Sequence, residues 1–304
     1  MGNEIIINSP QNVYVYNNIC MCKSQDVTET LDFHGELQKL HKVNKKELQN
    51  YFLGIQQKGK AERVKNCGNI LTFKHYKDIN ITKLDNASLC RERLCLNCNR
   101  LLSRDNAKML MQLTDGMELK HIVFSIKNCK GDFLRSTIEN MKKALKYYLR
   151  SKKVKDYYQS YEITYNEKTK EFHPHIHLLV KAEDFNIKKS LLNSEWANAV
   201  NRFMGTSYKW LSCKCVNVED NTKGCFELSK YVTKPQDFNS NTIPVFDEQL
   251  KGLHLHQPNG YFKKGIKEIK NKQECENTLE TEYLNKFDYE LLRYIFNGEN
   301  YIKM

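Results

Sequence analysis

His175 and His177 stand two apart in the segment FHPHIHLLV at 172–180. A run of this composition reads as a β-strand, and alternate strand residues point to one face, so the two imidazoles can converge on a single ion. The preceding strand-like run, YYQSYEITY at 157–165, carries Glu162. Turn-forming residues from Asn166 to Lys170 predict a hairpin centred between Lys168 and Thr169, which sets Glu162 across from His175 on the same face. Two imidazoles and a carboxylate with open coordination positions suit Mg²⁺ or Mn²⁺ acting on a phosphate oxygen. LHLH at 253–256 repeats the spacing with His254 and His256, but no carboxylate pairs with it. His173 shares the face of His175; because Pro174 is expected to interrupt strand pairing there, Glu162 is the better third ligand.

A second constellation lies in CFELSKYVTKP at 225–235, where Glu227, Tyr231 and Lys234 fall at i, i+4 and i+7. In a helix these three form one stripe, and Pro235 then ends it. A tyrosine is a poor nucleophile at its ordinary pKa of about 10, and a nearby lysine favours the phenolate. The chain holds 17 tyrosines, so spacing by itself leaves Tyr231 open between nucleophile and surface side chain. Glu227, one helical turn earlier and about 6 Å away along the axis, is placed to act as a general base on a water, the alternative being a helix-face carboxylate paired with Lys230 or Lys223.

Cys90, Cys95 and Cys98 follow a C-x4-C-x2-C spacing, and with Cys67 upstream they offer four thiolates to a structural Zn²⁺. The alternative is a set of reduced, partly buried thiols, since the fourth cysteine is remote. Cys20 and Cys22 form a possible substitute pair, while Cys213 and Cys215 alternate along a strand and read as core residues.

The elements that must position these groups follow from periodicity. Helical spacing is predicted at 45–57, 105–113, 134–148, 187–203 and 225–231. Strands are predicted at HIVFSI (121–126), 157–165, 175–180 and CKCVNV (213–218). The expected fold is α+β, an antiparallel sheet covered by helices and preceded by a small cysteine-bearing module. The expected division is a polar arm over 1–60, a cysteine module over 61–104, a catalytic domain over 105–270 and a helical tail over 271–304. Tyr261, Phe262, Lys263 and Lys264 are open between contact with DNA and a plain exposed strand.

A chain of 304 residues with 40% hydrophobic content can bury one substantial core with an appendage. Its 48 Lys and Arg against 36 Asp and Glu leave +12, a balance that favours a polyanionic partner, with nucleic acid first. The opening MGNEIIINSP lacks a basic segment followed by an apolar one, Ile6 replaces the Ser or Thr of a myristoylation site, and no apolar run is long enough to span a bilayer. A cytoplasmic protein without membrane contact is expected, and its 11 cysteines are expected to be thiols or metal ligands.

The order FSIKN at 124–128, HPHIHLLV at 173–180 and ELSKYVTK at 227–234 resembles the three motifs of the HUH endonucleases, in the single-tyrosine branch of plasmid rolling-circle replication initiators. RVKNCG at 63–68 and CRERLCLNC at 90–98 resemble the cysteine-containing region that precedes those motifs, so the likeness covers roughly residues 60–270. Leu96 stands where that family usually has proline, and His254 lies near a position that is often basic. The resemblance implies an RRM-like sheet with the histidines on its central strand and the tyrosine on an adjacent helix. It also implies Tyr231 as nucleophile, Glu227 at the place of the terminating glutamate, and plasmid origin DNA, single-stranded or hairpin at the nick, as substrate. Host helicase and DNA polymerase are the expected partners after the nick. Two other readings share these residues: a related HUH transposase or relaxase, and a non-catalytic zinc-containing DNA-binding regulator.

Overall fold

The computed structural model describes residues 14–16, 19–21, 45–229, 237–298 and 301–304. It divides into two compact units, one made of residues 1–101 and 274–304 and the other of residues 102–273.

The second unit is built on a five-stranded antiparallel sheet. Its strands, in chain order after the four described below for the first unit, are β5 (Leu119–Ser125), β6 (Tyr157–Asn166), β7 (Glu171–Lys181), β8 (Cys213–Asn217) and β9 (His256–Asn259), arranged spatially as β8-β5-β7-β6-β9. The histidine strand β7 is therefore central. Its register with β6 is fixed by the turn between them. Asn166 Oδ1 accepts the amides of Lys168 and Thr169 at 3.0 and 3.3 Å, and Lys170 takes the left-handed conformation at φ 55°. That Asx turn closes the hairpin at Asn166↔Glu171 and counts Glu162 into register with His175.

Pro174 does not interrupt the strand as expected. Phe172 exchanges both backbone hydrogen bonds with Cys129, on the β5 side of the strand, at 2.8 Å. By alternation, the nitrogen of Pro174 points to that same side, beyond the last β5 pair, Ser125↔His175. Its missing N–H thus removes no bond from the β6 ladder.

One face of this sheet carries Ile122, Phe124, Ile176 and Leu178, all fully buried. It is covered by α4 (Leu134–Ser151) and α5 (Lys189–Met204). Helix α4 buries Leu134, Ile138, Met141, Leu145 and Tyr148, an i, i+4, i+7 stripe. Phe124 meets Tyr148 and Trp196 at ring-centroid distances of 5.7 and 4.8 Å. The opposite face carries the histidines. At one end it is closed by a cluster that includes Leu110, Leu119, Tyr158, Leu179, Leu228 and Phe262, to which α6 (Asn221–Ser229) contributes Leu228.

The first unit holds a short hairpin, β1 (Tyr14–Tyr16) with β2 (Ile19–Met21), helices α1 (residues 45–54) and α2 (Lys58–Lys65), and a four-stranded antiparallel sheet. That sheet is ordered β11-β10-β3-β4, from β3 (Ile70–Tyr76), β4 (Ile81–Ala87), β10 (Glu290–Phe296) and β11 (Tyr301–Lys303). Helices α3 (Leu96–Leu113) and α8 (Gly260–Leu284) contain the two divisions between the units, and α7 spans Ile243–Gln249.

Three expectations change here. The tail over 271–304 is helical only to Leu284, and β10 and β11 follow it. Leu292 and Tyr294 pack with the buried Leu71, Phe73, Leu84 and Tyr301, so the cysteine-bearing unit takes its sheet from both ends of the chain. Residues 45–54 belong to this unit as a packed helix, with Leu48 and Phe52 buried, rather than to a polar arm. Tyr261–Lys264 open α8 instead of forming an exposed strand; Phe262 is fully buried and the Tyr261 hydroxyl donates to the Leu113 carbonyl at 3.1 Å.

Candidate active site and metal centre

The β6–β7–β5 pairing gathers side chains from three strands on one face. Glu162 pairs with His175, Ser160 with His177, and Ser125 and Val123 with His175 and His177 from the other side. Glu162 reaches past the residue opposite it as well: its Oε2 lies 3.1 Å from Nε2 of His177. Sheet twist makes such diagonal neighbours reachable for a longer side chain. The other ring nitrogen of His177, Nδ1, lies 3.0 Å from Nε2 of His121, and the two rings stack at 5.2 Å. His175 lies against His173, ring centroids 4.1 Å apart.

Sequence reasoning does not single out His121. Burial, with a smaller contribution from His177, holds its imidazole down to about 4, so it is neutral near pH 7. The Glu227 carboxylate of α6 acts on this ring in the opposite direction. Glu227 itself is exposed. Tyr231 and Lys234 lie outside the described residues. The neighbouring end of the face opens into a cleft of about 1030 Å³ lined by Ser125, Asn128, His173, His175 and residues 207–212.

A tighter group lies in the first unit. The four sulfurs of Cys67, Cys90, Cys95 and Cys98 all lie within 4.8 Å of one another, the only such candidate metal group among the described residues. The histidines and Glu162 are on one face but are not drawn together to that degree. Three sulfur pairs, Cys67–Cys98, Cys90–Cys98 and Cys67–Cys95, are 3.6 Å apart. Thiolates bound tetrahedrally at a Zn–S distance of about 2.3 Å are spaced by about 3.8 Å, so the donor set fits such an ion.

The remote Cys67 is explained by the β3–β4 hairpin, which returns the chain on itself. Gly68 donates to the Ser88 carbonyl at 2.7 Å and Ser88 Oγ to the Asn66 carbonyl at 2.8 Å, setting Cys67 beside Cys90. Cys95 and Cys98 then come from the entry and first turn of α3. Lys45 from α1 donates to the Cys67 carbonyl at 2.9 Å, close enough for the four cysteines to act on its charge. Thiol donation from the other three cysteines holds Cys67 well below the usual thiol range. The group is thus a largely buried cluster of four cysteines, able to hold a metal such as zinc. Of the proposed substitutes, the side chain of Cys20 is not described, and Cys22 lies outside the described residues.

The family model described as "Replication protein" matches residues 81–301, well over half of the chain. The chain belongs to the replication protein family. Among its relatives, a "Protein rep" of Bacillus amyloliquefaciens is 26% identical over 248 residues, 69% of this chain and 73% of that protein. A "Protein rep" of Staphylococcus aureus is 28% identical over 192 residues, covering 58% and 82% respectively. A third, from Streptococcus pneumoniae, is 26% identical over 235 residues, covering 71% and 72%. No solved structure matches. Membership makes initiation of plasmid replication, and with it binding of origin DNA, the general function of this replication protein. Among its described residues no helix is long and apolar enough to cross a membrane.

The remaining candidates of this family member sort by burial. His256 pairs with Ser160 on β9, and its Nδ1 lies 3.3 Å from the Tyr158 hydroxyl; burial holds it down to about 4. His254 is exposed, and its carbonyl accepts from Lys142. Cys213 and Cys215 are half-buried on the face opposite the histidines.

Proposed function

We propose that this replication protein nicks single-stranded plasmid origin DNA through Tyr231 and carries the cut strand as a 5′-phosphotyrosine. The observation that carries the reading is the histidine row: His175, His177 and Glu162 share one sheet face, with the Glu162 carboxylate on His177. Two imidazoles and a carboxylate suit a hard or borderline divalent ion, and the Glu162 carboxylate already meets an imidazole at 3.1 Å. Mg²⁺ or Mn²⁺ held by His175, His177 and Glu162 supplies neutralisation of charge on the scissile phosphate.

The chain's own groups do the rest. Lys234, three residues beyond Tyr231 in the motif, favours the phenolate. The Tyr231 oxygen attacks phosphorus, the bond from phosphorus to the 3′ oxygen breaks, and that oxygen takes up a proton to become a free 3′-hydroxyl. A phosphoester replaces a phosphoester, so the step is reversible and the strand can be rejoined. The 3′-hydroxyl suits extension by a host polymerase behind a host helicase, in the cytoplasm where the plasmid resides. Glu227 acts later, as general base for the water that hydrolyses the phosphotyrosine. The four-cysteine cluster takes Zn²⁺ as a structural ion.

The test is incubation of the protein with labelled origin single strands and Mn²⁺, followed by denaturing electrophoresis. A denaturation-resistant protein–DNA band is expected, absent from Tyr231→Phe and from His177→Ala. Persistence of the band in Tyr231→Phe overturns the assignment, and its absence from the unaltered protein favours a non-catalytic DNA-binding regulator.

A further inference from the structure

Trp210 is 64% exposed, on a loop that borders the cleft beside His175. An isolated exposed aromatic side chain is ordinary on a protein surface. This one sits on backbone that is held in place. The loop leaves α5 through Gly205, left-handed at φ 64°. Asn201 Oδ1 then accepts from Thr206 Oγ1 at 2.8 Å and from the Tyr208 amide at 2.9 Å, while its Nδ2 donates to the Tyr208 carbonyl at 2.9 Å. Beyond Trp210, the Leu211 amide donates to the Asn193 carbonyl at 3.2 Å, and the Ser125 amide to the Ser212 carbonyl at 3.1 Å. The indole is therefore presented from a loop tied on both sides, so little ordering is lost when something docks on it.

The chemistry of the cleft selects the ligand. Lys127 and Lys209 line it and are exposed, whereas its one carboxylate, Glu171, accepts from Asn128 Nδ2 at 3.3 Å. A flat aromatic surface flanked by lysines suits an unpaired nucleotide, since every base offers a π-face and each neighbouring phosphate a negative charge. We infer that Trp210 is the stacking platform for one unpaired nucleobase of the DNA strand entering the His175 cleft, with Lys127 and Lys209 serving the flanking phosphates. The inference rests on the single-strand reading above, and the test separates binding from cutting.

Tyr231→Phe protein in EDTA is titrated with an oligothymidylate about 8 nucleotides long, within the range of single-strand site sizes. The chain has two tryptophans, and Trp196 is fully buried with its indole N–H on the Ser125 carbonyl at 2.8 Å, so quenching of fluorescence reports Trp210. Saturable quenching is expected. Trp210→Ala, with circular dichroism and melting midpoint unchanged, should bind labelled oligonucleotide at least about fivefold more weakly, while Trp210→Phe keeps most of the affinity. One abasic position in the oligonucleotide should cost as much in the parent and nothing more in Trp210→Ala. Binding by Trp210→Ala equal to the parent, or binding without quenching, overturns the inference. Quenching in Tyr231→Phe and weakened binding in Trp210→Ala, with no adduct formed by the unaltered protein in Mn²⁺, would leave the platform standing and sink the nicking mechanism instead.

Discussion

His121 Nε2 lies 3.0 Å from Nδ1 of His177, which leaves the opposite nitrogen of His177 directed at Glu162. This contact orients the ring that the proposed ion would use, as partners behind metal-bound histidines generally do. His121→Ala should raise the Mn²⁺ concentration needed for half-maximal nicking by about 10- to 100-fold, with adduct still forming at saturating Mn²⁺. His121→Asn, able to keep one hydrogen bond, should fall between. An unchanged Mn²⁺ dependence in His121→Ala would remove the residue from the site.

The four-cysteine cluster should make itself known by composition. Purified protein is expected to hold one tightly bound zinc, and Cys95→Ser to lose it together with the cooperative unfolding of the first unit, because binding energy in such small modules is folding energy. Gly68, next to Cys67, accepts from the Tyr301 hydroxyl on β11, so the loss should extend to the C-terminal strands. Elemental analysis that finds no zinc in cooperatively folded protein would return these residues to plain thiols.

Glu227 should separate the two ends of a replication round. Glu227→Ala is expected to form the Tyr231 adduct at near the normal rate and to hydrolyse it about a hundredfold more slowly, the usual scale for a general base. The readout is the lifetime of the adduct, along with overlong single strands from circles released late. Slow initial nicking with normal release would assign Glu227 to the first step.

His256 should make stability depend on pH. Its folded value is about 4 against an ordinary 6.5, so between those values the unfolded chain binds a proton that the folded one excludes. Stability is complete above about pH 6.5 and declines as pH falls toward 4, by about 3 kcal/mol for this one group. His121, held down to about 4, acts in the same direction. Urea midpoints at neutral pH and near pH 4 should differ less in His256→Gln than in the parent. Equal differences would show that His256 is not excluded from protonation.

Much of the candidate site is legible in the amino-acid sequence, because it depends on local rules. His175 and His177 share a face since a strand repeats every two residues, and Glu162 comes into register because Asn166 starts a turn whose length is set by its own hydrogen bonds. What the sequence could not supply was contact across the chain. His121 opens a strand-like run, yet nothing local says that β5 pairs with β7 so as to set that ring on His177. Pairing is decided by which apolar faces fit together, so it is visible only in the folded whole. The same holds for β10, where Leu291, Leu292 and Ile295 suit a helix stripe as well as a strand. The segment is a strand because the distant β3 offers it a ladder and a place to bury Leu292 and Tyr294. Cys67 could be named with Cys90, Cys95 and Cys98 from the sequence, but its distance along the chain left plain thiols open until the β3–β4 hairpin between them brought the sulfurs together. Local periodicity thus determined which residues could do chemistry, and long-range strand pairing decided which of them meet.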